Sequence, residues 1–338
     1  MRVGLIGYGL AGRVFHAPLL QAAGFFVAAI ASRSLEKRGE AHRDFPLASI
    51  LASAEELVAE DLDLVVVAST NQFHSEHARL AIHAGIPIVV DKPMGIDYFE
   101  TRALFDLAEE KNIPITVFFN RLYDSDTLTI KELLSTQELG EVFRFESRYE
   151  RFRPNLNLQS WRETTSPEFG GGLLLDLQTH LVSSAIELFG PAKLEFASLR
   201  RIRGDVEDDV FLSLRHDSGV DSYLSVSSIS GAPGPRARLS GSKGALIVSD
   251  VDPQEGLLRS GEKPLQTGWR DAKSATSEFR IHRGGESFNY SGVPGNYISF
   301  YLEVAKALGQ AGEFPVARDL ALEVARILDT AREMDIRR

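Results

Sequence analysis

Three groups of residues in this 338-residue chain have the types and spacing to do chemistry. Gly7, Gly9 and Gly12 stand in "VGLIGYGLAGRVFHAPLL" (residues 3–20), where an apolar run leads into glycines and then into a helical pattern. G-x-G-x-x-G in that setting suits a phosphate cradle. The first glycine permits a tight turn, and the second lets the backbone around Leu10 and Ala11 approach a pyrophosphate. The third lets helix pack on strand, and the helix N-terminus offers amides and a positive dipole. The plain alternative is a turn, and the strand before and helix after favour the cradle. Asp176 and His180 are four apart on a predicted helix, hence on one face, and a histidine exchanges a proton near neutral pH. Lys92 ends a predicted parallel strand, where its ammonium could polarise a substrate oxygen. Pro93 keeps Lys92 out of helical geometry, and the tight turn there could hold a cis bond. Alcohol oxidation needs a hydride acceptor, a proton acceptor and a group that stabilises a developing alkoxide. Read alone, His180 suits a packed core position and Lys92 a surface loop equally well.

The elements that must position these groups alternate strand and helix over the first third. Residues 2–7, 25–31, 62–68 (LDLVVVA), 86–90 and 113–119 read as buried strands, and 11–23, 74–85 and 98–112 as helices. Strands so continuously hydrophobic belong in a parallel sheet covered on both faces, with a ligand crevice at their carboxyl ends. After about residue 122 the texture shifts to longer alternating segments at 141–151, 193–203, 208–215, 220–228, 236–240 and 245–249. "HDSG" (216–219) between two of them signals a hairpin. These segments read as one mostly antiparallel open sheet with a helix at 173–189 against it. Residues 252–292 read as mostly loop, and helices at 296–309 and 316–335 follow. The expectation is an α/β chain: a doubly wound dinucleotide-binding domain over 1–121 and an α+β domain for substrate and oligomerisation over 122–338. The last helix is placed to pack back on the first domain.

Composition narrows the class. Hydrophobic residues make up 43% and charged residues 25%, enough apolar material for large cores. A formal charge of −10 argues against nucleic acid, which needs a basic face. The absence of cysteine excludes disulfides and thiolate nucleophiles and fits a reducing compartment. No apolar run reaches the length of a membrane-spanning helix, and the N-terminus enters the first strand too quickly for a signal peptide. A cytoplasmic location is expected. His74 and His77, three apart, lack a nearby third ligand, so no metal is expected; a role at a helix start suits them better. His16 reads as packing or capping near the glycine loop.

The end of the second strand bears on the choice of dinucleotide. An acid there would hold the ribose 2′-hydroxyl of NAD. This chain instead has Ser32, Arg33 and Ser34 in "AIASRSLEKR", with Lys37 a turn later. A hydroxyl plus cations suits a 2′-phosphate and favours NADP over NAD, against the alternative of a solvated basic loop.

"ASTNQFHSEHA" (68–78), "VVDKPMG" (89–95) and "GGGLLLDLQTHLVSSAIELFG" (170–190) join the glycine loop in a resemblance that covers nearly the whole chain. Together they resemble the glucose–fructose oxidoreductase/inositol dehydrogenase (Gfo/Idh/MocA) family of NAD(P)-dependent dehydrogenases. "GLAGRVFHAPLL", "FFNRLYDSD" (118–126) and "YERFRP" (149–154) resemble its NADP-using, inositol dehydrogenase-like branch. The resemblance implies Lys92, Asp176 and His180 as the catalytic set. It implies Ser69, Thr70, Asn71, His74, Asp91, Lys92 and Asn120 as further cofactor contacts. Lys92, Asn120, Trp161, Asp176 and His180 are the implied substrate contacts, with Trp161 and Arg162 alternatively ordinary packing. The family commonly has Glu where Asp91 stands, and Gly-Pro where Gln178-Thr179 stand. The implied activity is hydride transfer between NADP and a polyol, inositol or sugar. Its alternatives are reduction of another carbonyl or diol on the same scaffold, or a dinucleotide sensor without catalysis. A homodimer or homotetramer through the second-domain sheet is expected.

Overall fold

The computed structural model describes residues 1–264, 277–310 and 312–336. The chain forms two compact units. One contains Met1–Asn120, the helix Gln254–Arg259 and Asn296–Ala321; the other contains Arg121–Pro253, the strands that precede Gly295 and the chain from Leu322 onward. Residues near 254–259 and 296–321 thus belong with the first unit, where the sequence reading put them in the second. Hydrogen bonds explain the return: Tyr297 N donates to Gln254 Oε1 (2.8 Å), and Thr116 Oγ1 donates to the Val316 carbonyl (3.1 Å).

The first unit is a six-stranded parallel sheet. Its strands are β1 (Arg2–Ile6), β2 (Phe26–Ala31), β3 (Ser49–Leu51), β4 (Leu64–Val67), β5 (Ile88–Asp91) and β6 (Ile115–Phe118), in the order β3-β2-β1-β4-β5-β6. Val3, Leu5, Ile30, Val65, Val66, Val89 and Val117 are wholly buried, as runs of β-branched residues covered on both faces must be. The order reverses between β1 and β4, the switch point where such sheets open a crevice. Two elements had weak sequence signals. The helix Leu35–Asp44 buries only Ala41, so its polar sequence has almost no apolar stripe; Ser34 caps it by accepting from Lys37 N. Strand β3 is three residues at the sheet edge.

The second unit carries β7 (Val142–Glu150), β8 (Ala192–Arg200), β9 (Asp209–His216), β10 (Asp221–Ser227), β11 (Ala237–Gly241), β12 (Gly244–Val248), β13 (Phe279–Arg283) and β14 (Glu286–Tyr290). They pair in the order β14-β13-β12-β11-β7-β10-β9-β8, antiparallel except for β7 with β10. Along β9 and β10, Val210, Leu212, Leu214, Leu224 and Val226 are buried, and Phe211, Ser213, Tyr223 and Ser225 alternate with them on the opposite face. The loop expected over 252–292 is corrected: β13, β14 and the helix Gln254–Arg259 lie in it, while 265–276 fall outside the described residues. Phe279 and Ile281 are buried on one face of β13, an alternation too short to stand out between glycines. A helix at Ser125–Thr136, rich in Thr and Ser, also had no clear sequence signal.

Candidate functional site

In the first unit, each loop glycine has its own reason. A Cβ at Gly7, whose φ is +99°, would lie 2.5 Å from the Ala68 carbonyl, and one at Gly12 would lie 2.1 Å from the Gly7 carbonyl. Both must be bare for β1, β4 and the following helix to meet. A Cβ at Gly9 would meet nothing within 4 Å. That middle glycine therefore opens on space rather than on protein, the property a pyrophosphate cradle requires. Leu10 and Ala11 follow it, and the chain enters a widened π-type turn over Ala11–His16 before the α-helix Ala17–Ala22. His16 is wholly buried, its Nδ1 2.5 Å from the Tyr301 hydroxyl and its ring against Phe118.

At the carboxyl end of β5, Asp91 Oδ1 accepts from Lys92 N (2.8 Å) and Asp91 Oδ2 lies 3.7 Å from His16 Nε2. Burial alone would raise the Asp91 pKa, but the His16 contact, with Lys92 and His74 nearby, holds it below the ordinary carboxylate range. The Lys92–Pro93 bond is cis. Beyond β4, Ser69, Thr70 and the short turn Asn71–Phe73 lead into the helix His74–His83. His74, almost wholly buried, has Nδ1 2.6 Å from the Pro93 carbonyl and Nε2 3.0 Å from the Ser69 carbonyl. It ties the two loops that flank the β4–β5 edge. Burial depresses its pKa, so the ring is neutral at neutral pH and donates to one of the two carbonyls at a time. His77 Nδ1 contacts Ser69 Oγ (2.9 Å), and its ring stacks on Phe73. Asn71 and Asn120 are both buried.

Over the end of β2 the basic residues differ in their partners. Lys37 Nζ pairs with Glu40 Oε2 at 3.0 Å, and Glu40 also pairs with Arg13. Arg38 Nη1 donates to the Ser32 carbonyl (3.0 Å) and so fixes the turn, a role the sequence reading missed. Arg33 is exposed, with its guanidinium 4.2 Å from the Phe73 ring centroid. This face therefore offers the Ser32 hydroxyl and the Arg33 guanidinium, with no carboxylate at the strand end.

In the second unit, Asp176 lies in a second π-type turn, Leu174–Gln178, that runs into the helix Thr179–Phe189. The uniform α-helix expected over 173–189 is corrected at its start. Arg162 Nε donates to Asp176 Oδ1 (3.0 Å), and the Arg162 guanidinium lies 4.7 Å from the Trp161 ring centroid. Trp161 and Arg162 thus belong to the surroundings of Asp176, in a short helical turn, Trp161–Thr164. Gln178 is buried and its Nε2 reaches the Leu224 carbonyl of β10 (3.4 Å); Thr179 Oγ1 bonds the Leu175 carbonyl (2.8 Å). The altered middle of the motif serves the sheet and the helix itself.

His180 is 6% exposed, and its ring meets Tyr149 edge-on at 6.4 Å. Tyr149 is held by a polar network that the sequence reading did not single out. Arg236 Nη2 donates to the Tyr149 hydroxyl (3.0 Å) and pairs with Asp126 (3.0 Å), and the hydroxyl lies 3.4 Å from Asp124. Arg236 and Arg121 also approach the Tyr149 ring, at 4.1 and 5.5 Å. Burial drives the Tyr149 hydroxyl pKa upward, so it stays a neutral donor. "YERFRP" and "NRLYDSD" carried Tyr149, Arg121, Asp124 and Asp126 as a resemblance; Arg236, just before the five-residue strand β11, had no signal of its own. Among the described residues, no group of three or more His, Cys, Asp or Glu side chains could hold a metal ion. Among the described residues, no helix is long and apolar enough to cross a membrane.

Residues 1–119 match the oxidoreductase family with an NAD-binding Rossmann fold, and residues 127–247 match the GFO/IDH/MocA C-terminal domain. The chain is 32% identical over 338 residues to the scyllo-inositol 2-dehydrogenase (NADP(+)) IolW of Bacillus subtilis, spanning 98% of this chain and 93% of that protein. It is 35% identical over 341 residues to the uncharacterized oxidoreductase YdgJ of Escherichia coli, spanning 98% and 96%. A crystal structure from Klebsiella pneumoniae, described as an oxidoreductase, superposes with a TM-score of 0.87 at 33% identity, over 99% of this chain and 93% of that one.

Proposed function

Because the chain belongs to the Gfo/Idh/MocA oxidoreductase family, with its NAD-binding Rossmann domain, we propose that it transfers a hydride between NADP and a secondary alcohol or ketone of a polyol, inositol or sugar. The observation that carries this reading is the set of groups at the carboxyl ends of β1, β2 and β5. There the open space at Gly9, the Ser32–Arg33 pair without a carboxylate, and Lys92 fixed by Asp91 occur in one unit. The B. subtilis relative, an NADP(+)-dependent scyllo-inositol 2-dehydrogenase, supports the substrate class.

When bound, the dinucleotide supplies the hydride acceptor or donor. The amides of Gly9–Gly12 hold the pyrophosphate, and Ser32 and Arg33 hold the 2′-phosphate. Ser69, Thr70, Asn71, His74 and Asn120 border the rest of the nucleotide, and Asp91 accepts from ribose hydroxyls. Lys92 Nζ draws negative charge onto the substrate oxygen, which lowers the alcohol pKa. His180 accepts the hydroxyl proton in oxidation and returns it in reduction. Asp176, oriented by Arg162, accepts a hydrogen bond from a neighbouring substrate hydroxyl, and Trp161 offers the ring face on which a sugar stacks. A sensor without catalysis would leave Lys92, Asp176 and His180 without a task.

Two finer assignments go with this reading. A second copy covers the face of the second-unit sheet that carries Phe196, Phe211, Tyr223 and Arg144. There the three rings form a ladder at 6.2 and 6.4 Å, and Arg144 caps Tyr223 at 5.7 Å. The assembly is a homodimer or homotetramer, and light scattering at the monomer mass would refute it. The enzyme works in the cytoplasm. The activity itself is tested by a panel of polyols, inositols and sugars with NADP, followed by the absorbance of the reduced dinucleotide. No turnover of any member, with the protein folded and binding NADP, would overturn it.

A further inference from the structure

Two adjacent acids between β8 and β9 are buried, and their surroundings differ. Asp208, 1% exposed, accepts from Ile202 N (2.9 Å), Arg203 N (2.8 Å) and Arg203 Nε (3.0 Å). Glu207, also 1% exposed, has neither carboxylate oxygen in hydrogen-bond geometry with any described residue. A buried carboxyl in that condition costs free energy, and its presence calls for a reason. Mere filling of the space would be served by an apolar side chain.

The carboxyl sits over the backbone that begins the helix bearing Asp176 and His180. A Cβ at Gly172, whose φ is +87°, would lie 2.3 Å from Glu207 Cδ and Oε1, so the acid rests on that bare Cα. Leu173 N donates to the Glu207 carbonyl (3.0 Å). From the other side, Gly172 N donates to the Arg162 carbonyl (2.9 Å), and a Cβ at Gly171 would overlap the Thr165 carbonyl. The helix start is therefore held between the 162–165 turn and Glu207. Burial raises the Glu207 pKa; the nearby amides of Glu207 and Leu174, which miss hydrogen-bond geometry with its carboxylate, and the charges of Arg332 and Arg201 oppose that shift. A negative charge there also faces the amino end of the helix, the favourable orientation for its dipole.

We propose that Glu207 is a positioning residue for the hydride-transfer reaction: wedged on Gly172, it sets where the Leu174–Phe189 segment begins, and so where Asp176 and His180 are presented. This rests on the catalytic reading of those two residues. Because the folded-state pKa is raised, ionisation of Glu207 costs stability as pH rises through that value. Glu207→Gln, which keeps shape and removes charge, should therefore keep the helix start in place while removing that cost, and Glu207→Ala should lose the wedge.

The experiment compares Glu207→Gln, Glu207→Ala and His180→Ala with the wild-type enzyme for Tm, NADP dissociation constant, kcat and its pH profile. Glu207→Gln is expected to melt no lower than wild type, with its relative gain growing as pH rises, and, because it keeps the wedge on Gly172, to turn over within about twofold of wild type. Glu207→Ala is expected to lose about tenfold or more in kcat, within the roughly hundredfold that a misplacement of about 1 Å can cost. NADP affinity should stay within about twofold in both, and the pH limb assigned to His180 should move in Glu207→Ala. Wild-type kcat in both Glu207 variants beside an inactive His180→Ala would overturn the positioning role alone. So would a lower Tm in Glu207→Gln, or an unmoved pH profile in Glu207→Ala. Wild-type turnover in His180→Ala would overturn the catalytic reading and this one with it.

Discussion

Replacing Arg33 by Ala is the sharpest test of cofactor choice, because the structure shows how little else is available over the end of β2. Lys37 is tied to Glu40 at 3.0 Å, the Ser34 hydroxyl is spent on capping Lys37 N, and Arg38 holds the Ser32 carbonyl. Arg33 is exposed and lies over the Phe73 ring at 4.2 Å, a contact that holds it without a competing carboxylate. A charge-assisted hydrogen bond to a phosphate is worth roughly 1.5–3 kcal/mol. At about 1.4 kcal/mol per tenfold, its loss should raise the KM for NADP about ten- to hundredfold. NAD has a neutral hydroxyl and no phosphate at that position, so its KM should move by about twofold or less. The contact with Phe73, worth about 0.5–1 kcal/mol at an exposed site, is lost with either dinucleotide and cannot create discrimination. Steady-state kinetics with both cofactors, together with titration by the fluorescence of the reduced dinucleotides, gives the ratio directly. Equal changes in the two KM values, or a wild-type enzyme that uses NAD as well as NADP, would refute the reasoning.

His180→Ala should lower kcat by roughly 10²–10⁴, the range for a lost general acid–base group, with NADP still bound; Lys92→Ala should be at least as damaging. Unaltered turnover across the pH range would remove His180 from the mechanism. Gly9→Ala should leave Tm unchanged, since its Cβ meets nothing, but weaken dinucleotide binding. Gly12→Ala should cost stability by about 1–3 kcal/mol, since its Cβ would press on the Gly7 carbonyl; equal melting of the two would contradict the cradle. Asp91, with its pKa lowered in the fold, contributes stability that is present above the unfolded-state value and is lost as pH falls through the folded value. Asp91→Asn without cofactor should therefore melt below wild type at neutral pH, with a gap that closes in acid. A gap independent of pH would show that the charge does not stabilise.

Where one physical signal dominates, the sequence was readable. Runs such as Leu64–Val67 and Ile88–Asp91 are buried on both faces and stand out as strands. Gly7 and Gly12 are glycines for steric reasons that the spacing encodes. The misses share a cause as well. The helix Leu35–Asp44 has almost no apolar stripe, β3 has three residues, and β13 and β14 alternate too briefly to register. Arg236 and Glu207 gave no signal because a buried charge in a connection just before a strand looks like a solvated one until its neighbours are known. Lys37 read as a second phosphate cation and is paired with Glu40, while Arg38, which the sequence reading did not single out, braces the Ser32 turn.

One rule meets irregular geometry at the proposed site. Spacing of four was taken to put Asp176 and His180 on one face, which holds for a regular α-helix. Asp176 instead falls in a π-type turn and His180 in the α-helix that follows it, so the four-residue offset spans two helical geometries. The side chains accordingly find different supports within the second unit: Arg162 for Asp176, and Tyr149 for His180. The other π-type turn, Ala11–His16, follows the glycine cradle in the first unit. Such turns are rare and recur at functional positions, since one wider turn re-aims a residue without breaking the helix beyond it. Both helices proposed to meet ligand begin this way. In each unit the proposed ligand contacts thus follow a local departure from regular geometry, built on elements whose regularity made the fold legible.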